Sequence, residues 1–475
     1  VTDFSGGRRR IRHQVPALYG IIDISAIQII GVSKKSLLCQ PLIDHKEEKV
    51  IKKEDVFYAV PRWRNGCLNV IFIIVVLSAF LLASAPRGAQ AIPAFSRHYK
   101  TECTTCHTLF AQRNEFGEAF RKNGYVWPGD KPSKQAQAQT EEERKLNEAL
   151  LLAGLPTLLP VSLQATFDIS HDRKAEDRYD FKNYEVELFA AGTLRDTIGF
   201  FMNEVIASSE APGETELEEA FVIWRHALDA PINVKGGKLR PDVSIWKSNN
   251  WLIESKPATV QDINGFALKD PQNGIELNAV LSPRFFAATG MVDRTIGTTS
   301  GPEPLDQTAK EYYGHVSYKI GGTDYRGKES DIDFEKESIW DFLSVSLGAF
   351  GYNGKTFDDT DNSTHNFYRT GLEAGVVYKK LSIMLGWVQG QNKYINDQTK
   401  KSAASSAEID YLFTSKLMGL LRYDVVSVDE EPSVRHFIPA IAYSPVQSSK
   451  IVLSVDQEKA ASNNTTAMLR AQIAF

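Results

Sequence analysis

From residue 160 onward the chain alternates. Tyr184-Glu185-Val186-Glu187-Leu188 is a clean apolar–polar run. Leu381, Ile383, Leu385 and Trp387 alternate with Ser382, Met384, Gly386 and Val388. Ala407, Ile409 and Tyr411 flank Glu408 and Asp410, and Leu417, Leu421, Tyr423 and Val425 share a face opposite Arg422 and Asp424. A period of two over such lengths means β-strands with one apolar and one polar face. A soluble sandwich would bury the apolar face as its core. A membrane barrel would turn it to lipid and line its lumen with the charged face.

Three features favour the barrel. The runs are roughly 10 residues long, the length of a tilted strand crossing a bilayer. Short connections such as Lys379-Lys380 and Thr414-Ser415-Lys416 alternate with long polar ones such as Lys355–Thr364 and Gln391–Lys401. Bacterial barrels have that asymmetry, with short periplasmic turns and longer outer loops. The chain also finishes on Leu469, Ala471, Ile473 and Phe475, one apolar face closed by an aromatic residue. Residues 160–475 are therefore expected to form a transmembrane antiparallel β-barrel of roughly 16 strands, an even number as bacterial barrels use. Glu185, Glu187, Glu408, Asp410, Arg422, Asp424, Asp456, Arg470 and Gln472 are expected to face the lumen. Trp246–Asn273 lacks periodicity and reads either as a long loop or as an inward-folded plug. The acidic stretches Asp358–Asn362 and Asp429–Glu431 suit hard cations, or are simply solvated loops.

A different pattern precedes the barrel. Arg62 and Arg64 stand before an apolar run from Val70 to Leu82, followed by Ala89-Gln90-Ala91. That is the layout of a secretory signal peptide over 62–91, cleaved before Ile92, and the run is short for a membrane anchor. Residues 1–61 have no periodic pattern, and the first methionine of the chain is Met202. The expectation is that 1–61 is translated upstream sequence, with a non-ATG start near Val60. Residues 131–159 form a linker, with a short helix expected from Thr140-Glu141-Glu142-Glu143 to about Leu152.

Between signal and linker lies Cys103-Thr104-Thr105-Cys106-His107. Cys-x-x-Cys-His is the attachment signature of c-type haem. Two thiols two residues apart can add to the two vinyl groups of one porphyrin, and the histidine then supplies the proximal iron ligand. Cys39 and Cys67 precede the cleavage site, so the exported chain keeps only Cys103 and Cys106. This leaves neither a disulfide framework nor a four-cysteine zinc site. Residues 92–130 are thus expected to be a small α-helical monohaem cytochrome c segment with one covalently bound haem. Phe110, Phe116, Phe120 and Tyr125 are placed to pack around it, and Asn123-Gly124 to end the helix that carries Phe116 and Phe120. His98 is a candidate sixth ligand. His171, His226, Met202, water or a vacant position stay open.

The net charge of −5 gives no reason to expect nucleic-acid binding. No nucleophile–base pair, phosphate loop or zinc signature is visible. The order of parts resembles the fused outer-membrane monohaem cytochrome c–porins of iron-oxidising bacteria. The local resemblance rests on Phe95-Ser96-Arg97, Cys103–His107, Phe116-Gly117, Phe120 and Asn123-Gly124-Tyr125, and is specific only over 92–127. It implies a haem held in or at the mouth of an outer-membrane barrel. It implies electrons taken from extracellular Fe(II) and passed to a periplasmic cytochrome or other carrier, an Fe(II) oxidase acting by outer-sphere transfer. The alternatives are a solute-diffusion porin with a structural or sensory haem, and outward transfer to extracellular acceptors.

Overall fold

The computed structural model describes residues 94–99, 101–110, 112–128, 161–175, 178–181, 184–194, 197–244, 252–261, 268, 270–293, 310–328, 339–358, 363–394 and 398–474. The expected upstream sequence, signal peptide, linker helix and terminal Phe475 lie outside these residues.

The first described elements are short. Helix α1 (Ala94–Tyr99) leads to a single 3-10 turn over Cys103–Thr105. A small hairpin, β1 (His107–Leu109) with β2 (Gln112–Arg113), then enters helix α2 (Glu115–Lys122). Helix α2 has local reasons to start and stop where it does. The Asn114 side chain caps it by accepting from Gly117 N at 2.9 Å. Glu115 and Glu118 sit at its positive end, Arg121 and Lys122 at its negative end. Asn123 and Gly124, with φ +72° at Gly124, turn the chain away.

Antiparallel strands then close into a barrel. They are β3 (Val161–Asp172), β4 (Tyr179–Asp180), β5 (Tyr184–Leu194), β6 (Ile198–Ser208), β7 (Glu216–Trp224), β8 (Asn233–Leu239), β9 (Gln272–Ser282) and β10 (Phe285–Asp293). Then come β11 (Lys310–Gly321), β12 (Leu343–Asp358), β13 (Ser363–Tyr378), β14 (Leu381–Lys393), β15 (Thr399–Thr414), β16 (Leu417–Val428), β17 (Val434–Tyr443), β18 (Ser449–Lys459) and β19 (Asn464–Ala474). Of the 17 strands in the ring, β4 is a two-residue extension, and β3 pairs directly with β5 beside it. Sixteen strands therefore cross, in agreement with the alternation count.

Strands β19 and β3 make the closing seam. There Arg470 holds Asp168 through Nη2 at 2.6 Å and Nε at 2.8 Å, and Gln472 donates to Thr166 at 3.1 Å. Closure removes the unpaired edge that lipid could not satisfy.

The two faces of the wall differ as the alternation requires. Glu408, Asp410, Arg422 and Asp424 are buried, while their outward neighbours Ile409, Leu421 and Tyr423 are 45–48% exposed. Exposed aromatic residues form two rings. Tyr318, Tyr411, Phe413 and Tyr443 stand near one rim, Tyr184, Tyr312 and Tyr368 near the other. A polar interior inside an apolar outer band edged by aromatic residues is the surface of a membrane-spanning barrel. Short connections at Lys379-Lys380, Ser415-Lys416 and Pro283-Arg284 crowd one rim, which is the periplasmic side of bacterial barrels. The fold and this surface place the protein in the bacterial outer membrane.

Candidate functional site

The short N-terminal elements sit inside the barrel at the short-turn end. Phe110 packs on Ala474 at the foot of β19, and Gln447 in the β17–β18 turn donates to Glu102 at 3.1 Å. Glu115 pairs with Lys319 at 2.8 Å and accepts from the Ser344 hydroxyl. Asn123 Nδ2 donates to the Tyr325 carbonyl at 2.6 Å. Gly199 on β6 lies so close to the Gly124 carbonyl that a Cβ there would collide with it, so the wall itself makes room for the segment.

The connection between β8 and β9 comes down from the opposite end. Arg422 Nη2 donates to the Ser255 carbonyl at 2.7 Å and to the Ser255 hydroxyl at 2.6 Å, and Thr259 N donates to Ser406 at 3.2 Å. Leu252 and Ile253 pack with Leu109 of the N-terminal segment and with Met418 and Leu420 of the wall. Of the two readings for Trp246–Asn273, the inward plug is the one observed over its described part.

Asp242 joins the two pieces. Its carboxylate takes Arg121 Nη1 at 2.7 Å and lies 3.9 Å from Lys122 and 3.7 Å from His315 Nδ1. Its backbone N–H donates to Glu276 at 2.9 Å. His315 Nε2 meets Glu373 at 3.0 Å. On the segment side Glu118 gathers Arg113 at 3.1 Å and Arg121 at 2.5 Å. Burial opposes ionisation of Glu118, but Arg121, Arg113 and Lys122 together hold its carboxyl below the usual range.

The Cys-x-x-Cys-His residues converge. Cys103, Cys106 and His107 all line one cavity, of about 210 Å³, which continues into open lumen space. Asn114 fixes the loop that presents them. Its Nδ2 donates to the carbonyls of Thr104 at 3.2 Å and Thr105 at 3.0 Å, and its backbone N–H to that of Cys106 at 2.9 Å. Gly117 faces the Cys106 carbonyl so closely that only a residue without Cβ fits. Burial pushes the Cys106 thiol up to about 11 and raises that of Cys103, so both are neutral at pH 7.

Nine further lining side chains are aromatic, and three of them, Phe189, Phe201 and Phe221, belong to the wall. Phe95 stacks on Tyr125 at 5.3 Å, Tyr125 on Phe201 at 5.6 Å and Phe201 on Phe221 at 5.5 Å. Phe110, Phe120 and Tyr125 line the cavity as the sequence suggests. Phe116 does not: it packs on Trp127 at 4.9 Å and faces a second chamber of about 690 Å³. Phe189, Phe201 and Phe221 were not singled out by sequence. Their signal is faint, because Phe200-Phe201 puts an aromatic residue on both faces of β6.

These residues fit a c-type haem by donor set and by surroundings: two thiols, an imidazole, and aromatic rings to pack against a porphyrin. Cys103 and Cys106 would hold it and His107 would ligate its iron. His98 lies on α1, and its side chain falls outside the described residues. His171, His226 and Met202 do not line the cavity. His171 packs against Tyr179 near the far rim, His226 sits in the β7–β8 turn, and Met202 is next to inward-facing Phe201 and so points to the opposite face.

The acidic loop Asp429–Glu431 is engaged by its own neighbours. Glu431 pairs with Lys400 at 2.6 Å and Asp429 accepts from Lys401 N at 2.9 Å. Among the described residues no group of three or more His, Cys, Asp or Glu comes together as a metal site.

Fold and interior together define a porin-like outer-membrane β-barrel with its own N-terminal segment seated in the lumen. No protein-family model matches the chain, and no curated protein does. Among solved structures it is similar to the anion-selective porin from Comamonas acidovorans, at 12% identity over 66% of this chain and 99% of that one, with a TM-score of 0.48. It is also similar to OprB of Pseudomonas putida, at 10% identity over 66% and 94% of the two chains, with a TM-score of 0.47. The outer-membrane channel DcaP of Acinetobacter baumannii gives 10% identity over 66% and 96%, with a TM-score of 0.45.

Proposed function

We propose that the protein is an outer-membrane c-type cytochrome–porin that carries electrons across the outer membrane. In this reading it takes them from extracellular Fe(II) and passes them to a periplasmic carrier. One observation carries the reading: Cys103, Cys106 and His107 line a single aromatic cavity inside the lumen of a membrane barrel. A haem bound there supplies a one-electron carrier, which the polypeptide alone lacks.

The chain's own residues do the rest. Cys103 and Cys106 anchor, and His107 ligates. Phe95, Phe120, Tyr125, Phe201 and Phe221 exclude water and lower the local dielectric. Seating at the short-turn end puts the motif loop, with exposed Glu102 and Thr104, beside the periplasmic rim, where a soluble carrier can approach. The transfer is outer-sphere, so no general acid or base is needed.

The solute-diffusion alternative finds less support. The segment and the inward β8–β9 connection meet in the lumen through buried ion pairs, which is a poor design for free diffusion. Outward transfer uses the same site and is separated by potential. The test is replacement of Cys106 by Ala. Barrel assembly should persist, while covalent haem and Fe(II)-dependent reduction are lost. Full Fe(II) oxidation by that variant would overturn the proposal.

A further inference from the structure

The cavity that holds Cys103, Cys106 and His107 is lined by four charged side chains, Arg113, Arg121, Glu219 and Lys235. They are not equally engaged. Arg113 is paired with Glu118, and Arg121 is paired with both Glu118 and Asp242. Lys235 projects from β8 and is 4% exposed. Its ammonium lies 3.7 Å from Glu276 and 3.5 Å from the Arg240 carbonyl, and 4.4 Å above the Phe221 ring. An ammonium has three donors and loses its hydration when buried. Contacts this long satisfy it poorly, and its ring partner Phe221 is itself a wall of the cavity.

A c-type haem brings two propionate carboxylates into whatever site holds it. Buried carboxylates need a cation, and Lys235 is the lining cation with the least other work. We propose that Lys235, on the barrel wall, is the counter-ion of a haem propionate and acts as a positioning residue for the cofactor. The inference rests on the haem reading above. It makes the site a joint product of segment and barrel: the segment supplies the covalent bonds and the wall supplies the charge. A fixed positive charge beside the haem favours the reduced state, which carries one positive charge fewer.

The experiment uses the full chain purified from outer membranes, as wild type, Lys235→Met, Lys235→Arg and Lys379→Met, the last a lysine in the β13–β14 turn. Each is checked for barrel folding by heat-modifiable gel mobility and for covalent haem under denaturing conditions, then titrated spectroelectrochemically at fixed pH. In Lys235→Met the ratio of reduced to oxidised haem at a given potential should fall about tenfold, a shift of about 59 mV for one electron. Lys235→Arg should restore the wild-type value and Lys379→Met should keep it. Should Lys235→Met not assemble, Lys235→Gln, of similar length and uncharged, is expected to shift the same way. Haem present with an unmoved potential in the neutral variants overturns the assignment. So does a change of spin state that Lys235→Arg fails to restore, since that marks an iron ligand. Absence of covalent haem from the wild type refutes the cytochrome reading instead.

Discussion

Asp242→Asn should unseat the N-terminal segment while leaving the barrel closed. The carboxylate is 2% exposed and faces Arg121 at 2.7 Å, with Arg121 itself 10% exposed. Removing one partner of a buried pair costs about 3–5 kcal/mol when the other is left uncompensated, and Arg121 keeps Glu118 at 2.5 Å, which puts the cost at the lower end. The amide keeps some hydrogen bonding, so about 3 kcal/mol is the sensible figure, or roughly a hundredfold in the docked-to-undocked ratio. The change also touches His315 of β11, 3.7 Å from the carboxylate, but the backbone ladders that close the wall do not involve the Asp242 side chain. The assay is single-channel recording in planar bilayers. Wild type should be quiet, and Asp242→Asn should open intermittently with an ion conductance set by the vacated lumen. Arg121→Met should behave alike, and the double variant should cost less than the two single changes summed. Conductance equal to wild type, together with additive effects, would refute the claim that this pair holds the plug.

Gly117→Val should prevent haem attachment without affecting barrel insertion, because its side chain would strike the Cys106 carbonyl; haem staining and heat-modifiability read the two separately. Leu385→Arg, at a lipid-facing position on β14, should cost about 2–4 kcal/mol of barrel stability if it lies near the bilayer midplane, measured by urea titration in vesicles. Acid should loosen the segment. The Glu118 carboxyl is held below its ordinary value, so its contribution is complete above about pH 4.3 and is lost as pH falls from there through the folded value. Hydrogen exchange over residues 109–124, corrected for intrinsic rate, should therefore rise between pH 5 and pH 3.

The wall was legible because alternation is local. Glu408 and Asp410 buried against exposed Ile409 and Tyr411 follow directly from a period of two, and so do the Lys379-Lys380 and Ser415-Lys416 turns. The end of helix α2 at Asn123-Gly124 was equally readable, since capping depends on a few neighbouring residues. The docking of the segment was not. Arg121 with Asp242 and Gln112 with Asp410 join residues more than a hundred positions apart, and no periodic signal links them. The inward course of the β8–β9 connection was one of two readings because a segment bound by Ser255 and Thr259 to wall side chains needs no period of its own. Phe116 carries the same local signal as Phe120 and yet turns to Trp127, a choice made by tertiary packing. The wall's share of the cavity, Phe189, Phe201, Phe221 and Lys235, emerges only once the barrel closes.

The central claim is that a haem on Cys103, Cys106 and His107 accepts electrons from Fe(II). The most direct measurement is the visible spectrum of the purified protein, taken anaerobically at controlled pH during a redox titration and again on adding Fe(II). A c-type α band should appear with Fe(II) alone and be absent from Cys106→Ala. A haem that stays oxidised with Fe(II) and reduces only with a stronger donor would contradict it, and a wild-type protein with no haem band at any potential would leave only the barrel.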